Sequence, residues 1–116
     1  MAALAIGVMS PERMRARILA RISGAYKPEP GEPKIWFPSM TSLISVLSDE
    51  NRELLRTIVD TKPGSITALA KMTGQKPWQL SRTLKTMSNF GIVELKRVRN
   101  HVRPVVKAVE FRIFAN

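Results

Sequence analysis

Gly74 and Pro77 stand three residues apart inside an otherwise helical pattern, and no single helix can pass through both. Gly74 favours the left-handed backbone that reverses a chain, and Pro77 lacks an amide hydrogen and fits only the first turn of a helix. The stretch therefore reads as two helices. One runs from Thr67 to Met72 with Leu69 and Ala70 turned inward, after Ser65-Ile66 as a strand stub or cap. The other runs from Pro77 to about Phe90 and is closed by Gly91. Ala70 is small enough for the two to cross closely, and Leu80 locks the second against the first.

With Leu80 at the centre of the inner face, Leu84 and Met87 fall on the same side and Trp78, Arg82, Lys85 and Asn89 on the opposite one. Gln79, Ser81 and Thr86 flank that outer face. It holds groups able to meet base edges or phosphates and no carboxylate, whereas a plain solvated helix mixes both signs. Arg82 suits either a bidentate guanine contact or a phosphate, and Gln79 either adenine or solvent. Trp78 can donate its indole N–H to a phosphate, or pack under the following hairpin or against a partner subunit. Lys76 is not a favoured N-cap; it suits contact with a nucleic-acid backbone, and a cap at Gln75 or a frayed helix start accounts for it as well.

Ile92 to Lys96 alternates as a strand, and Val105 to Phe114 is expected to answer it. Between them lies Arg97-Val98-Arg99-Asn100-His101-Val102-Arg103. Its arginines can reach a flanking phosphate or a narrow minor groove, with Asn100 beside them and His101 as a phosphate donor or bystander. Two crossing helices followed by a basic hairpin predict a winged helix-turn-helix. The expected fold class is α+β, mainly α with a small β wing, preceded by a strand-helix extension.

Charge agrees with this placement. The 116 residues carry 19 Lys+Arg against 9 Asp+Glu, a net charge of +10. Residues 1–60 hold eight basic against seven acidic side chains, and residues 61–116 hold eleven against two, so nearly all the excess lies in the C-terminal half. A positive field confined to one half is the expected footprint of a polyanion partner, the alternative being a merely soluble basic face. With no cysteine and one histidine, neither a disulfide framework nor a metal cluster is expected, and no cofactor is called for. There are no paired carboxylates in one motif, no phosphate loop and no nucleophile-histidine arrangement, so the chain is not expected to be an enzyme.

The N-terminal half reads as an attachment. Leu4, Ile6 and Val8 alternate with Ala3, Ala5 and Gly7 as a short strand in need of a partner. The apolar run Met1 to Met9 is too short for a membrane span, so a cytoplasmic protein without membrane contact is expected. Ser10-Pro11-Glu12 starts a helix expected to reach about Ala25, with an apolar stripe at Met14, Ile18 and Ile22 and a basic ridge at Arg13, Arg17 and Arg21. Three prolines and a glycine in Lys27 to Pro33 predict a stiff extended linker. Ile35-Trp36-Phe37 then forms an apolar plug with Trp36 in the core. Ser39 and Ser48 can cap two helices, the second stopped by Lys62-Pro63-Gly64 with Gly64 taking the left-handed turn. The expected division is residues 1–26 as extension, 27–34 as linker and 35–116 as DNA-binding domain. Leu4, Ile6, Val8, Met14, Ile18 and Ile22 are the expected dimer or partner contacts.

Ser81-Arg82-Thr83-Leu84-Lys85, Gly91-Ile92-Val93-Glu94 and Pro104-Val105-Val106 give the segment from Lys34 to Glu110 a likeness. It resembles the small prokaryotic winged helix-turn-helix regulators of the MarR and ArsR groups. More narrowly it is similar to predicted DNA-binding antitoxins of toxin–antitoxin operons, some of which share the strand-helix extension, linker and Ile-Trp-Phe plug. The resemblance implies a dimeric repressor of its own operon and, for an antitoxin, a cognate toxin partner. It carries the recognition helix onto Pro77 to Phe90 and the wing onto Lys96 to Pro104. The sequence departs from these relatives at Trp78, where a small polar residue is usual, and lacks the ligands of metal-sensing members. The rival expectations are a winged-helix module docking an acidic protein, and RNA binding.

Overall fold

The computed structural model describes residues 2–115. Among them five helices and two small sheets form an α+β chain: β1 (Leu4–Val8), α1 (Pro11–Ile22), β2 (Ile35–Phe37), α2 (Met40–Val46), α3 (Asp49–Thr61), α4 (Ile66–Thr73), α5 (Pro77–Asn89), β3 (Val93–Val98), β4 (His101–Val106) and β5 (Phe111–Ala115). These elements fall into two units. One holds Val46–Val109, and the other holds Ala3–Ser45 with the segment beginning at Glu110.

In the unit of Ala3–Ser45, β1 is the centre of a three-stranded parallel sheet ordered β2-β1-β5. Ile6 stands beside Ile35 on one side and Ile113 on the other. This departs from the expected division at 26 and 35, because Ile35–Phe37 and Phe111–Ala115 both join the N-terminal strand. Nor does β5 answer β3: the chain bends after Val106, and the last strand pairs with β1. Helix α1 is the crossover that parallel strands β1 and β2 require. The Ser10 side chain caps it by accepting from the Arg13 amide at 3.3 Å. It stops at Ile22 rather than Ala25, since Ser23 closes it and Gly24 turns left-handed at φ 81°.

The small-residue face of β1 has a packing reason. A Cβ added at Gly7 would overlap the six-membered ring of Trp36, its neighbour on β2. Above that ring lies the Arg17 guanidinium, 4.5 Å from the Trp36 centroid and 4.8 Å from that of Tyr26. Arg17 also donates to the Tyr26 hydroxyl at 2.7 Å and pairs with Glu32. So Arg17 leaves the expected basic ridge, and the proline-rich segment is not a free extended linker. It folds at Gly31, with the Glu32 amide bonded to the Glu29 carbonyl at 3.2 Å. On the opposite sheet face Ile6, Val8 and Phe37 are buried.

In the unit of Val46–Val109, the Ser48 hydroxyl caps α3 by accepting from the Asn51 amide, and Ser65 caps α4 by accepting from Ala68. Lys62, not Gly64, takes the left-handed position after α3, at φ 47°. Pro63 follows and is buried, so the chain cannot continue the helix. Gly74 ends α4 at φ 73° with its amide on the Ala70 carbonyl, and Pro77 opens α5 three residues later. At the far end of α5 the amides of Gly91 and Ile92 bond the carbonyls of Ser88 and Met87, and Gly91 is left-handed. Both bonds satisfy carbonyls that a helix end leaves open. Leu54, Leu55, Ile58, Leu69, Leu80, Leu84, Met87 and Ile92 make the core.

Strands β3 and β4 form an antiparallel hairpin whose turn is only Arg99-Asn100, much tighter than the seven-residue loop expected. Arg99 adopts φ 56° to close it. Pro104 sits within β4 opposite Leu95. The Lys107 amide bonds the Ile92 carbonyl, and the alternation of the ladder then puts Pro104 at a non-bonded position, where its missing amide costs nothing.

Candidate functional site

Helix α5 owes its orientation to Leu80, Leu84 and Met87, which are fully buried. Four-residue and three-residue steps between them fix which side faces out. Lys76, Trp78, Gln79, Ser81, Arg82, Lys85 and Asn89 are all exposed, with Trp78 at 59%. Trp78 is therefore not packed beneath the hairpin. Lys76 occupies the N-cap without a side-chain bond to the helix, while its carbonyl accepts from the Gln79 and Leu80 amides at 3.0 and 3.1 Å. Among the residues of α4, α5 and the turn between them there is no carboxylate.

The hairpin adds cations in a defined pattern. Arg97, Arg99, Asn100, His101 and Arg103 are exposed, as is Lys96. The strand register splits them. Lys96 stands opposite Arg103 and Val98 opposite His101 on one face, while Arg97 stands opposite Val102 on the other, and Arg99 and Asn100 form the tip. The arginines are thus not one cluster, since alternate strand residues point to opposite faces. Lys96 joins the candidate residues on this ground. Its period-two offset from Val98 carried the signal, but only the register reveals Arg103 across from it.

Glu94 is the one acidic side chain between residues 61 and 109, and it is neutralised. Lys107 lies 2.8 Å from its carboxylate. Hydrogen bonding by Lys107, then its charge, lowers the Glu94 pKa below the ordinary value of 4.5, with Lys96 adding a smaller pull. Glu94 therefore stays ionised at neutral pH, in an ion pair with Lys107 that is about half exposed.

The expected partner contacts separate into two sets. Ile6 and Val8 are buried within the chain's own sheet and Leu4 is partly covered, so the unpaired strand that made them partner contacts does not exist. On α1, Ile18 is 50% and Ile22 78% exposed, and Met14 is half-buried. No helix among the described residues is long and apolar enough to cross a membrane.

A family model described as HVO_A0114 matches residues 46–113, more than half of the chain, and covers α3, the α4–α5 pair and the hairpin. No curated protein and no solved structure matches the chain.

Proposed function

We propose that this chain, which belongs to the HVO_A0114 family, is a sequence-specific regulator of transcription that binds double-stranded DNA through a winged helix-turn-helix. In this reading α4 and α5 are the helix pair, α5 enters the major groove, and the β3–β4 hairpin is the wing. The observation that carries it is the exposed face of α5: Trp78, Gln79, Arg82, Lys85 and Asn89 project from it with no carboxylate among them, directly ahead of a cationic hairpin.

The division of labour follows from chemistry. Arg82, Gln79 and Asn89 carry donors and acceptors matched to base edges in the major groove. Lys76, at the N-terminus of α5, meets a phosphate with the positive end of the helix dipole behind it. Lys85, Lys96, Arg99 and Arg103 neutralise further phosphates and release counterions, which gives affinity without sequence information. Occupying its operator, the protein represses its own operon with no cofactor and no covalent step. The likeness to MarR, ArsR and antitoxin proteins supports the repressor role, and co-expression with the neighbouring gene product tests the toxin partner.

Selection of bound sequences from a random duplex library tests the reading. A short enriched motif is the expected result. Binding that enriches nothing, or that favours single-stranded RNA or an acidic protein over duplex DNA, contradicts it.

A further inference from the structure

Strand β5 is an edge of the β2-β1-β5 sheet. The Leu4 amide donates to the Glu110 carbonyl at 3.0 Å. In a parallel ladder successive residues turn their main-chain groups to alternate sides. Arg112 and Phe114 therefore share the direction of Glu110, toward β1, and Phe111, Ile113 and Ala115 present their amides and carbonyls outward. The opposite edge is protected, because β2 has three residues and is flanked by Pro33 and Pro38. β5 has no such guard. Both of its faces are also open, with Ile113 49% exposed on the Ile6 side and Phe114 51% exposed on the Trp36 side. Parallel strands are ordinarily covered on both faces.

We propose that this edge pairs antiparallel with β5 of a second copy of the chain, about a two-fold axis at Ile113. The strand's own sequence sets that register. Centred on Ile113, the ladder joins Ile113 to its counterpart and Phe111 to the partner's Ala115, so all three outward residues are bonded. On the other face Arg112 then stands opposite the partner's Phe114, a cation beside a ring. Centring on Arg112 instead would set that arginine against the partner's Arg112 and leave Ala115 unpaired. The pairing at Ile113 yields a six-stranded sheet whose two outer edges are the proline-flanked β2 strands. It holds whatever the unit of Val46–Val109 binds.

Sedimentation equilibrium of the full chain, with circular dichroism to verify folding, is the test. The wild-type chain is expected to dimerise at micromolar concentration. Phe114→Arg sets like charges opposite each other twice per dimer and should raise the dissociation constant about tenfold or more. Phe114→Glu loses the same ring but sets a carboxylate opposite the partner's Arg112, and should leave the constant within about threefold. The chain has no cysteine, so Ile113→Cys adds one thiol that meets its own counterpart about 5.5 Å away between Cα atoms, within disulfide reach. Oxidation should cross-link that variant and not Arg112→Cys. A monomer at about tens of micromolar, well above the range expected for specific association, overturns the proposal. Equal weakening by the two Phe114 variants, or cross-linking at 112 as efficient as at 113, overturns it too.

Discussion

Lys96 and Arg103 stand directly opposite each other across the β3–β4 ladder, two cations on one exposed face with no carboxylate between them. Like charges so placed destabilise a hairpin, by roughly 0.2–1 kcal/mol for such a pair. On the proposed reading, a bound phosphate backbone relieves this repulsion. Lys96→Glu converts the repulsion into a cross-strand ion pair. Urea unfolding should show it more stable by about 0.5 kcal/mol, while duplex binding at low salt weakens. A variant that is both less stable and unchanged in binding would remove the hairpin from the interface.

Arg82 and Arg99 should fail in different ways. Arg82 projects from the middle of α5, and Arg99 forms the hairpin tip. Arg82→Ala should relax base preference at one position or cost about 1–3 kcal/mol on the preferred site. Arg99→Ala should weaken all sequences alike and reduce the salt slope by about one. Binding curves for a selected site and a scrambled one, each at several salt concentrations, separate the two; the reverse pattern would mean that helix and hairpin exchange roles.

Gly7 and Trp36 are coupled by shape. Gly7→Ala drives a methyl into the indole and should cost about 1–3 kcal/mol, seen as a lowered thermal midpoint. Combined with Trp36→Leu, which withdraws the ring, the same change should cost much less than it does alone. Strict additivity of the two changes would rule out the overlap as the cause.

Glu94 gives the fold an acid-side dependence with a definite sign. Its pKa is lowered in the folded chain by Lys107, so the pair's contribution is present above pH 4.5 and fades as pH falls through the lowered value. Urea midpoints of the wild type and Glu94→Gln should therefore converge as pH drops into the acid range. A gap that widens on acidification would contradict the pairing. At neutral pH the same variant frees Lys107 and should bind duplex DNA more tightly.

What could be foreseen along the chain was local chemistry. Ser10 and Ser48 announce helix starts because a hydroxyl at an N-cap meets an amide three residues on, Ser65 fits a cap or a strand stub equally until the structure shows it capping α4, and Gly74 and Gly91 announce stops because the turn needs positive φ. The outward set on α5 is legible for the same reason, since one buried leucine and a 3.6-residue period determine the rest. The parallel sheet is not legible. Leu4 pairs with Phe111 across nearly the whole chain, and such pairing leaves no nearby signal in either strand. Ala5 and Gly7 hinted at a close neighbour without saying that it was Trp36. The tight hairpin turn is not legible either, because Arg99 takes a left-handed angle that favours glycine or asparagine, and Lys62 takes the left-handed position in place of Gly64 in the same way. Arg17 illustrates a third limit: helical spacing places it on a basic ridge, but Tyr26, Glu32 and Trp36, distant in sequence, claim it.

The most direct measurement is the affinity of the full chain for duplex DNA as a function of salt. A protein that sets about six cations against phosphates should lose on the order of a thousandfold in affinity between roughly 50 and 200 mM salt. A linear decline of log affinity with log salt, made shallower by Lys85→Ala, Lys96→Ala or Arg99→Ala, is the predicted result. Affinity for duplex DNA that stays flat across that range, or that these substitutions leave untouched, would contradict the account.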